Sequence, residues 1–187
     1  MKKLFIIALA AFASLTMGAQ TLGKVNFNEL VMLMPEMDAA RETIAASQKE
    51  AEETYAAMVE EYQSKATQYQ QKQATWTAAI RESKERELYE IQNRIQEFQN
   101  SISQELQQQQ AQLTAPIQEK ANKAVSDLAK AKGITILFDA SQAIYFDETK
   151  VVDLTADARK ALNIPEGRTL ESLQAELQAQ AQAAQAQ

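Results

Sequence analysis

The stretch YAAMVEEYQSKATQYQQKQATW (55–76) places large aromatic side chains seven residues apart, at Tyr55, Tyr62, Tyr69 and Trp76. A seven-residue repeat puts these rings on one face of a helix, as at one seam position of a coiled coil. Periodic aromatic residues on a helix usually mark packing, so we interpret the stripe mainly as the seam with another helix. The alternative is an exposed apolar surface that binds other molecules.

The region around this stretch lacks residues that end helices. Over 36–115 there is neither Gly nor Pro, and good helix formers dominate. The heptad frame of the first half fails beyond about residue 80, where it would bring Arg86 and Glu90 into the seam. An antiparallel hairpin over 36–115 resolves this conflict. Its tip is predicted near 75–83, and each arm is about 70 Å long at about 1.5 Å per residue.

Folding the chain at about Ile80 predicts which residues face each other in the hairpin. Tyr62 then meets Phe98, and Met58 meets Ile102. A two-helix arm has no third layer to close its core, so the flanking segments must anchor it. The predicted seam consists of Tyr55, Met58, Tyr62, Ile91, Ile95, Phe98, Ile102 and Leu106.

The flanks, 20–35 and 116–162, predict a small β-rich body, and Gly133 is expected to end the second arm. The short β-rich runs are LGKVNF (22–27), ITILFDA (134–140), AIYF (143–146) and VVDLT (151–155). These short runs contain too few core residues for a sheet that is stable by itself. The edges of the strands should therefore be covered by other copies of the chain. The predicted residues of this shared oligomerisation body are Val25, Phe27, Ile136, Phe138, Ile144 and Phe146.

The two ends of the chain are interpreted separately from the fold. Residues 1–19 have a basic start, an apolar run and small residues, the order of a secretory signal peptide, with cleavage after Gly18 or Ala19. The apolar run is too short to span a bilayer comfortably, so the sequence predicts an exported, soluble protein without stable membrane insertion. The Ala/Gln-rich tail, 163–187, is predicted to be disordered.

Composition argues against several classes of function. Cys and His are absent, which excludes disulfides, thiol chemistry and imidazole sites. The formal net charge of −6 disfavours nucleic acid as a partner. Asp139, Asp147 and Asp153 flank short strands and are interpreted as turn and helix caps rather than as a metal or acid–base set. The sequence therefore predicts no enzyme activity, no cofactor and no metal.

The order of these segments resembles the Skp/OmpH family of periplasmic chaperones. The segments that carry the resemblance are GKVNFNEL (23–30), LTAPIQEKANKAVSDLAKAKGITILFDASQAIYF (113–146) and VVDLTADARKAL (151–162). The resemblance implies an α+β fold for the chain and a homotrimer for the assembly. The trimer would have a β-barrel body, formed by oligomerisation, from which the helical hairpins extend as coiled-coil tentacles. It also implies that the cavity between the tentacles holds unfolded outer-membrane proteins without ATP. The basic lipopolysaccharide-binding cluster of some members has no counterpart here, so no lipid site is assigned.

Clients of many sequences are best held by scattered apolar contacts from adaptable side chains. The candidates are partly exposed seam residues near the tip and methionines near the body, which also suit packing. An alternative function is a structural or scaffolding coiled-coil protein of the cell envelope. The predicted client-contacting residues are Tyr69, Trp76, Ile80, Met32, Met34 and Met37.

Overall fold

The structure, a computed structural model, describes residues 21–185, with side chains up to residue 183. The predicted signal peptide lies outside the described residues. The elements in chain order are β1 (Leu22–Val25), α1 (Phe27–Leu33), α2 (Pro35–Lys72), α3 (Ala78–Ala131), β2 (Ile136–Asp139), β3 (Val151–Asp153), α4 (Thr155–Ala161) and α5 (Leu170–Gln185).

The chain divides into two compact units. The described residues up to Met32, together with those from Ala121 onward, form the first unit, which contains the sheet. The second unit, Leu33–Lys120, contains α2 and most of α3. The protein is therefore mostly helical, with two long helices and a small sheet, an α+β chain.

The long helices run antiparallel: residues further along α2 contact residues nearer the start of α3. Gln109 Nε2 donates to Ser47 Oγ at 2.9 Å, and Gln99 Nε2 donates to the Tyr55 hydroxyl at 3.0 Å. Closer to the turn, an Arg94 guanidinium nitrogen lies 3.0 Å from Glu61 Oε2. Helices α2 and α3 thus form the two arms of a hairpin.

The register of this hairpin differs from the predicted one. In an antiparallel hairpin, the sequence numbers of two facing residues have a constant sum. That sum is between 152 and 156 for the observed hydrogen bonds between the arms, and 160 for the predicted pairs Tyr62–Phe98 and Met58–Ile102. The partner of each residue is therefore displaced by roughly one to two helical turns of about 3.6 residues. Apolar matching alone did not detect this shift.

The position of the tip explains the displaced register. After α2 ends, the chain makes a 3-10 turn at Gln73–Thr75, and Trp76 is extended with φ −88° and ψ 151°. The Thr77 carbonyl accepts from Arg81 N at 3.0 Å, and its hydroxyl accepts from Ile80 N at 3.4 Å. Thr77 is thus the N-cap of α3, a role that threonine suits. The chain turns at 73–77, before the predicted fold point at Ile80.

The sheet is small and entirely parallel, with strand order β2-β1-β3. Leu22 pairs with Ile136 on one side and with Val151 on the other. Val25 on the central strand is 2% exposed. A Cβ at Gly23 would lie 2.9 Å from Ile134 Cγ2, so the close packing of β1 requires glycine. Both outer strands keep one edge unpaired among the described residues.

Two predicted strands are shorter or missing. Phe27 begins α1 instead of ending β1, because Asn26 O already accepts the first helical hydrogen bond, from Leu30 N at 3.0 Å. Residues 143–146 form no strand in the described chain. Among the described residues this segment pairs with no strand of the sheet, and strand structure depends on such pairing.

The end of the second arm was predicted correctly. Gly133 has a φ of +65°, and Ile134 N donates to Ala129 O at 2.9 Å across it. This is the arrangement by which a left-handed glycine closes the last turn of a helix. Helix α3 passes through Pro116 without a break in its assigned helical span.

The structure differs from the expected disordered tail, because α5 occupies most of 163–187. Thr169 Oγ1 accepts from Ser172 N at 3.1 Å, and Ser172 Oγ accepts from Thr169 N at 3.0 Å. This reciprocal cap starts the helix, and Leu173 is only 3% exposed. The Ala/Gln composition concealed these two local stabilising features.

Candidate functional site

The distal part of the arm, which we define as residues 58–95, has a seam around Ile91, beside which a groove of about 580 Å³ opens with a mostly polar lining that includes Glu61, Glu90 and Arg94. Ile91 is 2% exposed, and the predicted seam residues Met58, Tyr62 and Ile95 are half-buried. At the tip, the Trp76 ring packs edge-on against Tyr69, with ring centroids 5.9 Å apart and planes at 62°. Aromatic pairs of this geometry contribute beyond their buried area.

Ion pairs and hydrogen bonds brace this distal part across the seam. Lys65 binds the Glu87 carboxylate, which also accepts from Lys84 Nζ at 2.8 Å. The ammonium groups of Lys65 and Lys84 lower the pKa of Glu87 to about 2. The Tyr69 hydroxyl donates to Glu85 on the facing helix. These contacts hold the two helices in one register near the tip.

The middle part of the arm, residues 47–55 and 98–109, has a different packing. Small side chains, Ser47 and Ala51, face Phe98, Ile102 and Leu106. Two grooves open there, with volumes of about 410 Å³ and 680 Å³. Both grooves are lined by the same four residues: Ala51, Phe98, Ile102 and Leu106.

The lining of the two grooves shows that they lie on opposite faces of the seam. One groove includes Glu50 and Thr54, and the other includes Glu52 and Tyr55. These pairs flank Ala51 on opposite sides of α2, since successive helical residues are rotated by about 100°. Apolar surface in mid-arm is thus accessible from both faces, and Tyr55 is 37% exposed.

Acidic residues surround this apolar surface. The middle part contains four acidic residues and one basic residue, Lys49, which gives it a formal charge of −3. The acidic residues are Glu50, Glu52, Glu53 and Glu105. Lys49 Nζ lies 3.9 Å from Glu53 Oε1. Among the residues that the structure describes, the carboxylates of Glu50, Glu52 and Glu105 form no ion pair. The middle part therefore combines apolar grooves with uncompensated negative charge.

The structure separates the six predicted client-contacting residues into different environments. Ile80 and Met32 are each 44% exposed, whereas Met34 is completely buried and thus inaccessible to a client in this conformation. Met37 is half-buried, as are Tyr69 and Trp76, which pack on each other. Met34 is buried because Met side chains readily fill core gaps.

Sequence reasoning missed Tyr89, which is 63% exposed on α3. It lies outside the predicted seam, and a lone aromatic residue in a polar stretch gives no periodic signal. The heptad frame puts Ala51 at a seam position, but sequence reasoning did not foresee that grooves open beside this small residue. A small residue in a seam of aromatic and methionine residues is the sequence signal that would have located them.

The residues predicted for the oligomerisation body also divide into two groups. Val25 is buried within the single chain, and Phe138 packs on Phe146 with ring centroids 5.3 Å apart. The remaining members of the set are Phe27, which is half-buried, and Ile136 and Ile144, which are 50% and 105% exposed.

Next to Ile144, Tyr145 is 86% exposed, a second residue that the sequence analysis did not select. An isoleucine and a tyrosine adjacent in an irregular segment thus present their full side chains to solvent. Large apolar groups displayed in this way are typical of surfaces that another chain covers.

The three aspartates accept backbone hydrogen bonds two residues on, and Asp139 and Asp147 are the N-caps of short 3-10 turns. Asp139 Oδ1 accepts from Ser141 N at 2.9 Å, and Asp147 Oδ1 accepts from Thr149 N at 3.0 Å. Asp153 Oδ1 accepts from Thr155 N at 2.8 Å. In the described part of the chain, no group of His, Cys, Asp or Glu side chains is arranged to hold a metal ion.

The family comparison agrees with this architecture. The family described as outer membrane protein (OmpH-like) matches residues 21–162, more than half of the chain. The chain therefore belongs to the OmpH-like family, a family of periplasmic chaperones for outer-membrane proteins. A comparison with curated proteins gives no match. Between residues 21 and 185, no helix has both the length and the apolar character needed to cross a bilayer.

Proposed function

We propose that this protein is an ATP-independent holdase chaperone of the periplasm that binds unfolded outer-membrane proteins between its helical arms. The observation that carries the proposal is the open seam in mid-arm, where Phe98, Ile102 and Leu106 are accessible from both faces. Membership in the OmpH-like family supports the same role. A holdase needs many weak apolar contacts rather than one closed pocket, and shallow open grooves meet that requirement.

The proposal includes a homotrimer whose bodies join into a shared β-barrel. The unpaired outer edges of β2 and β3 support this assembly, because such edges readily pair with strands of other chains. The exposed Ile136, Ile144 and Tyr145 supply apolar surface beside them. Three arms around one body would enclose the cavity in which clients are held.

Suppression of aggregation tests the holdase activity. An unfolded β-barrel protein is diluted from denaturant with and without stoichiometric amounts of the purified protein, and light scattering is followed. We expect scattering to be suppressed without ATP, with little dependence on salt, because apolar contacts are not screened. Unchanged scattering, with intact oligomers, would exclude the holdase and favour the scaffolding alternative.

Sedimentation equilibrium tests the assembly, with Ile144→Lys as the informative variant. Ile144 is fully exposed in the single chain, so this change leaves the core of the subunit intact. We expect the unmodified protein to be a trimer and the variant to dissociate, since a buried charge is costly. Lys49→Glu, on the arm, is the control that should leave the mass unchanged. A monomeric unmodified protein would contradict the shared body.

A further inference from the structure

The middle part of the arm combines two features that act on the same ligand. The shared floor of both grooves is apolar and half-buried, formed by Ala51, Phe98, Ile102 and Leu106. The walls carry the free carboxylates of Glu50 and Glu105 in one groove and of Glu52 in the other.

The distal part of the arm provides an internal comparison. There the carboxylates of Glu61 and Glu87 are neutralised by Arg94, Lys65 and Lys84. In mid-arm, by contrast, the acids face open grooves and meet no base from the opposite helix. An occupant that buries apolar groups in these grooves without bringing positive charge would desolvate carboxylates without compensation, which is unfavourable.

We infer that the mid-arm grooves bind extended segments of unfolded polypeptide in which large apolar side chains alternate with lysine or arginine. This inference rests on the proposed holdase function and specifies its preferred substrate. In an extended segment, alternate side chains point in opposite directions, so apolar groups can enter the groove while cationic groups reach its walls. Charge complementarity of this kind sets specificity more than total affinity.

Two fluorescent peptides test the inference. They share the same alternating apolar residues, and the intervening positions are lysine in one and glutamate in the other. Fluorescence anisotropy with the purified protein should show roughly tenfold tighter binding of the lysine peptide at low ionic strength, with the preference shrinking as salt rises. Equal affinity for the two peptides would overturn the inference.

A matched pair of variants locates the preference in the grooves. The triple variant Glu50→Gln, Glu52→Gln, Glu105→Gln removes the three groove carboxylates. The control triple variant changes three other exposed glutamates by the same total charge: Glu42→Gln, Glu90→Gln and Glu119→Gln. The preference should disappear in the first and persist in the second. An equal loss in both would mean that net charge, not the groove, selects the peptide, and would overturn the inference.

The aggregation assay separates the failure of this inference from the failure of the holdase proposal. If the protein suppresses aggregation but binds neither peptide, clients are held elsewhere and the inference is wrong while the holdase stands. If suppression itself is absent, the proposed function fails. The remaining alternative is that another copy of this chain occupies the grooves. Sedimentation of the groove triple variant tests it, because a change in oligomeric mass would assign the grooves to another copy and overturn the inference.

Discussion

The distal and middle parts of the arm are built from the same two helices, yet they differ in packing and in charge. In the distal part, Ile91 is almost completely buried and ion pairs such as Lys65–Glu87 cross the seam. In the middle part, Ala51 leaves grooves beside Phe98 and Ile102, and three of the four nearby glutamates form no ion pair in the described structure. The same two helices therefore present a polar, ion-paired groove near the tip and more apolar, acidic grooves further along.

The largest expected effect is a difference in crosslinking yield between two pairs of introduced cysteines. A pair that faces across the seam crosslinks readily, whereas a pair out of register hardly crosslinks at all. The chain contains no Cys, so introduced pairs give an unambiguous readout. We expect Lys65→Cys with Glu87→Cys to be joined within one chain by a short bismaleimide in high yield. The pair Tyr62→Cys with Phe98→Cys, which the sequence alone favours, should give little product. Mass spectrometry of the digested monomer band measures both, and the reverse result would mean that the distal register is wrong.

Truncation of one isoleucine in each part should have unequal effects on stability. Ile91→Ala removes a buried side chain and should lower the free energy of unfolding by about 2–4 kcal/mol. Ile102→Ala, at the grooves, should cost about 1 kcal/mol, since its side chain is already partly solvated. Denaturant titration followed by circular dichroism compares the two. Equal losses would contradict the difference in burial between the two isoleucines.

Filling the grooves should make the middle part resemble the distal part. Ala51→Leu keeps a strong helix former and adds apolar volume beside Ile102, so we expect a gain of about 1 kcal/mol. The same change should weaken binding of an unfolded client, measured by anisotropy. Ala57→Leu, on the exposed side of α2, serves as the control and should change neither quantity much. A variant with filled grooves and unaltered client affinity would remove the middle part from the binding surface.

Neutralising the bracing carboxylate of the distal part should have the smallest effect. Glu87→Gln should cost about 0.5–1 kcal/mol at pH 7, because partly exposed ion pairs contribute little. The pKa of Glu87 is about 2 in the folded protein and 4.5 ordinarily. The Glu87 carboxylate therefore makes its full contribution to the free energy of unfolding above pH 4.5. The contribution is lost as the pH falls towards 2.

The difference in unfolding free energy between Glu87→Gln and the unmodified protein should therefore shrink below pH 4.5 and vanish only below the folded pKa of about 2. The matched control is Glu82→Gln, since Glu82 is highly exposed and pairs with Arg86 only at 3.5 Å. It should show no resolvable difference at any pH. A Glu87→Gln difference that persists at low pH would point to lost packing rather than lost charge.

The local pattern of residues was sufficient to predict several features of the protein. The absence of Gly and Pro between 36 and 115 indicated two long helices, and the broken heptad frame indicated a hairpin. Gly133 marked the end of the second arm, and two of the three β-rich runs after it marked β2 and β3. These predictions succeeded because helix propensity, left-handed glycine and apolar periodicity act over a few neighbouring residues.

Only the tertiary structure decided the register, the position of the turn and the open part of the seam. An apolar stripe repeats with every turn or two, so sliding one helix along the other by that distance still buries apolar residues. What selects one alignment is the cap at Thr77 and contacts such as Lys65–Glu87, which join residues 22 positions apart. Where Ala51 meets Ile102, that alignment places a small residue opposite large ones, and grooves open beside it.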